Sequence, residues 1–543
     1  ENPSICAICL APAIQKCSGC QTVHYCSKDH QKQHWKQHKH ACVPAKIKED
    51  PQFGRYLEAT REIKAGDIIM REKPLITGPA QVTPPVCLGC YKLLEEGQVV
   101  ACEKCGWPFC SQACTTKDEH IPECHYTHKR GEKVHITTFG TPHPNYQSIT
   151  VLRCLYQRDH DEALWTKLQA LQSHCEDRRN TDKWNNDKKM IAEFIWKFFK
   201  LAGIFNEEEI MRCCGILQIN GHEVPLVEPE YMAVFDRVSM VEHNCKANCN
   251  KSFTSDGEII LCAGLPISPG SHVSVCYTDP LWGTEARRHH LADSKFFECS
   301  CDRCTDVTEF GTMYSATKSP DPETRNLDDK LWVCGVCKDA VADGIIQQLL
   351  QDIGRELSIM PKEDADACER YSYLHPSHYY MTDVSLALAQ LVGQESVRGL
   401  AAVTDDRLLL KTQLFVDRSI FREMFCKLCI VPAESRLRGM LLFELHAAVA
   451  ESGRRRALGE GPGVMLGYLT VGTTCNNISP VTVPSYSCGQ VVSDLRPHAF
   501  HLCTYSRYLR FIYLRTILSA VTIYHLYRHI TCHSFLPSYW ASG

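Results

Sequence analysis

Short-spaced cysteines and histidines carry most of the chemistry this chain can do. Residues 1–45 hold Cys6-x2-Cys9, Cys17-x2-Cys20, Cys26-x3-His30 and His38-x3-Cys42. Residues 87–124 repeat the arrangement with Cys87, Cys90, Cys102, Cys105, Cys110, Cys114, His120 and Cys124. Thiolates and imidazoles in pairs suit tetrahedral zinc, and eight ligands suit two ions. The i,i+4 spacing of Cys26/His30 and of His38/Cys42 sets each pair on one helical face. Each step of four advances about 400° around a helix, so those faces drift apart and favour two sites over one. Neither module leaves an obvious open coordination position, so the expected zincs are structural. Their binding would supply much of the folding energy of such short segments.

A third cluster, Cys299-x-Cys301-x2-Cys304, offers three thiols and lacks a fourth ligand, which structural zinc almost always has. Cys245, in Glu242-His243-Asn244-Cys245, is the candidate, and closing that site would staple distant segments into one fold. About five zinc ions are therefore expected. The chain holds 33 cysteines and no secretory signal is read ahead of them, so metal ligation in a reducing compartment is expected over a disulfide framework. The expected location is cytoplasm and nucleus.

The elements around these ligands follow from hydrophobic pattern. At 543 residues several domains are expected, and 44% apolar with 22% charged residues is ordinary for globular protein. A net charge of −4 exerts no general pull on nucleic acid or membrane. Residues 1–48 carry seven lysines against Glu1 and Asp29, which reads as a solvated basic face; nucleic acid is not expected as the primary partner. The apolar stretch Phe511 to Tyr527 contains Arg515 and His525 and is shorter than the ~20 residues a bilayer needs, so no membrane span is expected. Ile63 and Ile68–Ile69 flank a Lys-Ala-Gly-Asp turn and read as short strands in a hairpin-like connection. Phe194, Ile195, Phe198, Phe199 and Ala202 form an apolar helical face, within a largely helical stretch over 160–220. Residues 258–262 and 272–277 read as strands, the second placing Val273, Val275 and Tyr277 on one face.

The zinc modules, with the local string Tyr25-Cys26-Ser27-Lys28-Asp29-His30, resemble the MYND finger. A RING ubiquitin ligase also binds two zincs, but its last pair is normally C-x2-C, whereas both modules here end in H-x3-C. The MYND resemblance implies that the first and third pairs share one zinc and the second and fourth the other. That groups Cys6, Cys9, Cys26 and His30, then Cys17, Cys20, His38 and Cys42; in the second module, Cys87, Cys90, Cys110 and Cys114, then Cys102, Cys105, His120 and Cys124. His30 stands where cysteine is usual, with His34 as an alternative ligand. MYND fingers generally take proline-rich peptides, and such partners are implied for the first module.

From Gly54 to Cys304 the order of features resembles the SET and MYND domain (SMYD) family. A strand segment opens on Gly54-Arg55; a MYND insertion, a helical insertion, His243-x-Cys245, the Tyr277 strand and Cys299-x-Cys301-x2-Cys304 follow. An extra N-terminal MYND and the Glu-His-Asn-Cys string look like the arthropod-type branch. The implied class is α+β: a SET β-fold over 46–86 and 230–298, with an inserted MYND module at 87–124 and a helical insertion at 125–229. A post-SET zinc segment at 299–312 and a C-terminal helical, TPR-like domain at 330–450 would complete it. Ile345, Ile346, Leu349, Leu350, Ile353 and Leu357, a second stripe at Leu437, Leu441, Leu442 and Leu445, and His375-Pro376-Ser377-His378-Tyr379 carry that last likeness. Cys334-x2-Cys337 has no partner pair and is not counted as a metal site. Residues 451–543 resemble neither the family nor a linker and read as an atypical tail.

A SET enzyme transfers a methyl group from S-adenosylmethionine to a lysine that enters from the opposite face, and the target here would be a histone or non-histone protein. The resemblance makes Tyr277 the catalytic channel tyrosine. It makes Gly54, Arg55, Asn220, His243, Tyr277 and Phe297 cofactor-binding positions. Thr284 and Arg287 match a T-x-x-R stretch to which a structural role is given. Four positions depart from the family pattern: Tyr56 for the second glycine of a G-R-G loop, Glu242 for asparagine, Gly270-Ser271-His272-Val273 for a G-E-E-I-like segment, and Lys295 for a second channel tyrosine. A positive charge at Lys295 would repel an incoming lysine. The leading expectation is a protein-lysine methyltransferase. The alternative is a catalytically weak SET/MYND scaffold acting through protein contacts.

Overall fold

In a computed structural model, the chain is described almost continuously over residues 5–315, except 21–22, 40–41, 52–53 and 313. Beyond that it is described at 323–326, 331–334, at 378–393, 399–416 and in parts of 340–355 and 447–455. It divides into two units, one built mainly of residues 1–280 and 286–301, the other of residues 281–285 and the chain after 302.

The first unit opens with two minimal strands, β1 (Gln15–Lys16) and β2 (His24–Tyr25), and helix α1 (Lys28–His38). Ser27 caps α1 by accepting from the His30 amide at 3.2 Å, and Asp29 adds a carboxylate at the positive end. Strands β3 (Ala45–Asp50) and β4 (Gly54–Ala59) form a hairpin, followed by β5 (Ile68–Glu72) and β6 (Ile76–Pro79). Gly54 takes a φ of +66°, a left-handed setting that glycine adopts at no steric cost.

The second zinc module carries β7 (Val100–Ala101) and β8 (Pro108–Phe109). It runs into α2 (Ile121–Arg130), α3 (Ile149–His160), α4 (Glu162–Gln169), α5 (Cys175–Arg178), α6 (Asp182–Asp187), α7 (Glu193–Phe198) and α8 (Glu207–Asn220). Phe194 and Phe198 stack at 4.5 Å while Ile195 and Phe199 are buried, but Ala202, the last residue of the expected face, lies beyond the helix and is exposed. A capping box between Asn206 and Glu209 starts α8.

The strands that follow are β9 (Gly221–Val224), β10 (Tyr231–Val234), β11 (Glu242–His243), β12 (Cys249–Phe253), β13 (Ile259–Ala263) and β14 (His272–Val275), with α9 (Thr284–Lys295) after them. They make small sheets in the orders β11-β14-β4-β3, β12-β13-β5 and β6-β10-β9. In the last sheet β6 ends at Pro79 and β9 starts at Gly221, yet both flank β10. The whole intervening segment thus leaves and rejoins one sheet, which is how a long insertion sits in a β-fold without breaking it. The helical insertion accordingly ends at Asn220, before the expected 229. Alternation on β4 and β13 sends Leu57, Ala59, Ile259, Leu261 and Ala263 into one core with Ile69, Val273 and Val275.

Two strand expectations change. The Lys-Ala-Gly-Asp turn is present, with the Asp67 amide on the Lys64 carbonyl, but its flanks do not pair with each other. Ile63 bridges to Ile267 and β5 pairs with β13, because the apolar partners that cover them lie two hundred residues downstream. Strand β14 ends at Val275, so Tyr277 lies just beyond it.

The second unit contains α10 (Asp302–Thr305), a three-stranded antiparallel sheet of β15 (Glu323–Asn326), β16 (Leu331–Cys334) and β17 (Ala340–Ala342), and helices α11 (Tyr379–Leu391) and α12 (Asp405–Val416), which pack together. The expected helical segment therefore begins with strands. Leu350 and Ile353 are buried in a helix, whereas Ile345, Ile346, Leu349, Leu357, His375, Cys337 and the 437–445 stripe lie outside the described residues, as does the tail beyond 455. No described helix is long and apolar enough to cross a membrane.

Candidate transfer site and its zinc clamps

Every zinc ligand named above falls into one of five tetrads: Cys6/Cys9/Cys26/His30, Cys17/Cys20/His38/Cys42, Cys87/Cys90/Cys110/Cys114, Cys102/Cys105/His120/Cys124 and Cys245/Cys299/Cys301/Cys304. Within each, the donor atoms lie no more than 4.8 Å apart. Tetrahedral zinc with Zn–S of about 2.3 Å sets sulfurs about 3.8 Å apart, and a sulfur–nitrogen edge at about 3.6 Å. Observed edges match: 3.5 Å for Cys9–Cys26, 3.7 Å for Cys17–Cys42, 3.5 Å for Cys90–Cys110 and 3.9 Å for Cys245–Cys299. His38 and His120 present Nε2 to Cys20 and Cys105 at 3.4 and 3.3 Å, while His30 presents Nδ1 to Cys26 at 3.1 Å. His34 does not take the ligand place, since its Nδ1 bonds the Tyr25 hydroxyl at 2.9 Å. The donor sets fit zinc, and among the described residues no cysteine is in a disulfide.

Behind the second module lies a buried relay that spacing did not disclose. His120 turns Nδ1 to Glu123 at 3.1 Å, and Glu123 takes Arg153 at 2.6 and 3.0 Å. Arg153 also donates to the Thr77 and Leu88 carbonyls and to the Tyr91 hydroxyl. Glu123 is fully buried, which raises its pKa, but Arg153 and His120 outweigh that and hold it below the carboxylate range. A carboxylate on the outer nitrogen of a zinc histidine fixes its tautomer and orientation. The relay ties the zinc to α3 and β6.

The fifth tetrad reaches the expected transfer residues directly. Arg287 donates to the Cys245 sulfur at 3.2 Å, and His243 brings Nε2 to the same sulfur at 3.2 Å. His243 also takes the Tyr277 amide on Nδ1 at 2.9 Å. A neutral imidazole protonated on Nε2 satisfies both contacts. The His243 ring lies 5.2 Å from Tyr277 and 5.9 Å from Phe297, which is 37% exposed and free to face a ligand. The Tyr277 hydroxyl donates to the Val241 carbonyl. Burial, then the nearby Glu242, pushes that phenol far above its ordinary value, so it stays protonated.

Other expected positions approach the cluster from its flanks. Asn220 ends α8 and gives its amide to the Gln172 and Ile216 carbonyls, leaving Oδ1 without a hydrogen bond among the described residues. Gly54 and Arg55 open β4, opposite Asp50 and Glu49. They join the cluster through three departures from pattern that prove to be neighbours. Tyr56 stacks on His272 at 4.1 Å, and His272 bonds Glu242 at 2.8 Å, beside His243. Burial raises the Glu242 carboxyl, with the His272 bond opposing. The exchange of acidic for basic at 272 and of neutral for acidic at 242 was the available signal: the two changes are complementary.

Sequence comparison supports the same organisation. The MYND finger family model matches residues 6–42 and the SET domain model residues 54–278. The chain is 26% identical over 270 residues to SET domain-containing protein SmydA-8, isoform A, of Drosophila melanogaster, covering 48% of this chain and 56% of that protein. It is 28% identical over 287 residues to isoform B (50% and 60%). The chain carries a MYND finger and a SET domain, and the relatives it resembles include SMYD proteins. Against histone-lysine N-methyltransferase SMYD3 of Homo sapiens, the chain is 24% identical over 299 residues, covering 51% of itself and 63% of that protein. It spans somewhat more than half the length of these curated relatives. A structural comparison with the SET domain of LSMT bound to lysine and AdoHcy gives 12% identity and a TM-score of 0.29, over 79% of this chain and 84% of that one.

Proposed function

We propose that this chain is a zinc-dependent protein-lysine methyltransferase using S-adenosylmethionine, acting in cytoplasm and nucleus on a histone or other protein. The observation that carries the reading is the continuity from the fifth zinc tetrad through Cys245 and His243 to the Tyr277 backbone. Metal there is structural. The cofactor, when bound, supplies an electrophilic methyl on a sulfonium.

The residues have separable tasks. His243, with its tautomer set by two contacts, holds the Tyr277 segment at fixed distance from the zinc thiolate. Tyr277 keeps its phenolic proton on the Val241 carbonyl and presents the hydroxyl oxygen and a ring edge to the reacting atoms. Phe297 and the free Oδ1 of Asn220 offer an aromatic wall and an acceptor to the cofactor. A lysine amine that has lost its proton would receive that methyl group, the S–C bond giving way to the N–C bond, with Tyr277 beside it and Phe297 and Asn220 holding the donor. Burial favours the neutral amine, and fixed in-line geometry lowers the barrier. Tyr277→Phe should cut labelled-methyl transfer at least about 100-fold with cofactor affinity within a few-fold. Undiminished transfer would remove Tyr277 from the mechanism.

A second reading is favoured by Lys295, whose cation faces Tyr277: a SET scaffold with weak transfer, working through proline-rich peptides bound by the first MYND module. Saturating peptide binding by a chain that shows no transfer on lysine-rich protein at any pH would select it.

A further inference from the structure

Lys295 ends α9 with its ammonium turned inward. Nζ donates to the carbonyls of Gln218 and Ile219 at 3.1 and 2.8 Å, in the last turn of α8, where unsatisfied carbonyls attract a cation. The same nitrogen lies 5.9 Å from the centroid of the Tyr277 ring. Its anchors immediately precede Asn220, so one side chain spans two of the expected cofactor positions. Gln218 is itself held, by Arg178 on its side-chain oxygen at 2.8 Å. The anchor is rigid.

The charges around Lys295 do not neutralise it. Lys251 on β12 adds positive potential and Glu223 on β9 is the carboxylate that opposes it, while burial and then neighbouring cations hold His222 on β9 and His290 on α9 toward the neutral imidazole. Lys251 Nζ stands 3.4 Å from His222 Nδ1. Burial first, then Lys251, lowers the Lys295 ammonium to about 8. At neutral pH the cation persists.

We propose that Lys295 is a specificity-determining residue of the transfer site, setting it against any second positive charge beside Tyr277. The inference rests on the methyltransferase reading. It makes the site discriminate by charge: the neutral thioether S-adenosylhomocysteine is held in preference to the sulfonium donor, and an amine is received in its unprotonated form.

The test is calorimetry on the full zinc-loaded chain with S-adenosylmethionine and S-adenosylhomocysteine, in wild type and in three variants. Lys295→Met and Lys295→Gln remove the charge, the second keeping a donor for the carbonyls; Lys295→Arg keeps it. Expected is a shift of the affinity ratio toward the sulfonium ligand, on the order of tenfold, in both neutral variants, the size of one partly screened charge contact. Lys295→Arg should stay within about twofold of wild type. Sulfonium binding by the neutral variants where wild type shows none would be the same result in extreme form. Binding of both ligands with an unchanged ratio in the neutral variants, or an equal shift in Lys295→Arg, would overturn the proposal and leave the methyltransferase reading standing. No binding of either ligand by any of the four proteins would overturn both.

Discussion

The two MYND-type modules share a ligand pattern and differ in what surrounds it. In the first, Cys6, Ala13, Cys17, Cys20 and Tyr25 form a small core of their own, with Cys9 and Cys26 exposed. In the second, Cys87, Cys102, Cys105, Trp107 and Phe109 belong to the main core, and the Trp107 indole donates to Thr127 on α2 at 3.1 Å. Only for the second is a charged relay from a zinc histidine into the SET sheet present among the described residues. The first touches the strands more lightly, as where the Thr60 hydroxyl meets the Gly19 carbonyl at 2.5 Å. Closely similar coordination, with His30 in the first module where the second has Cys114, thus serves two purposes. One module has a small core of its own; the other is part of the main core.

That contrast can be broken by removing ligands. Cys105→Ser in the second module should abolish cooperative folding of the SET core, since structural zinc supplies on the order of 10 kcal/mol or more to such segments. Thermal unfolding would show it, and a Tm within a few degrees of wild type would contradict the embedding. Next in size, Glu123→Gln leaves the zinc ligands intact but strands the buried Arg153 charge. A loss of about 3–5 kcal/mol in denaturant unfolding is expected. A loss below about 1 kcal/mol would mean the relay is ornamental.

Cys17→Ser in the first module should melt residues 6–42 locally, seen as faster amide exchange there. The SET core and cofactor affinity should stay within about twofold. Loss of cofactor binding on that change would erase the distinction between the modules. Smallest of all, Tyr25→Phe removes the hydroxyl bond to His34 and should cost about 1 kcal/mol, read in the exchange of the first module alone.

The zinc tetrads were legible in the sequence because a tetrahedron a few ångströms wide is built from local knuckles, so its geometry is written in spacing. Cys245 was legible only because three thiols at 299–304 need a fourth ligand, since its partners lie more than fifty residues away and spacing could not point to it. Glu123 and Arg153 were not read at all. An acidic residue between His120 and Cys124 was the sole local sign, and its partner is set by how α2 and α3 pack. Tyr56, Glu242 and His272 were visible as separate departures, but their contact depends on β4, β11 and β14 sharing a sheet. Ile63 and β5 were misread because a turn announces itself locally while strand partners are chosen by distant apolar neighbours. The strands inside the expected helical C-terminal segment were missed for the same reason.

Methyl transfer as proposed requires a cofactor pocket beside Tyr277, whose backbone is tied through His243 to the zinc-ligand thiol of Cys245. The most direct measurement is a calorimetric titration of S-adenosylhomocysteine into the full chain, before and after zinc is removed with a chelator. One molecule bound per metal-loaded chain, and none after chelation, is the outcome expected. A fully zinc-loaded chain that takes up no ligand at millimolar concentration would contradict it.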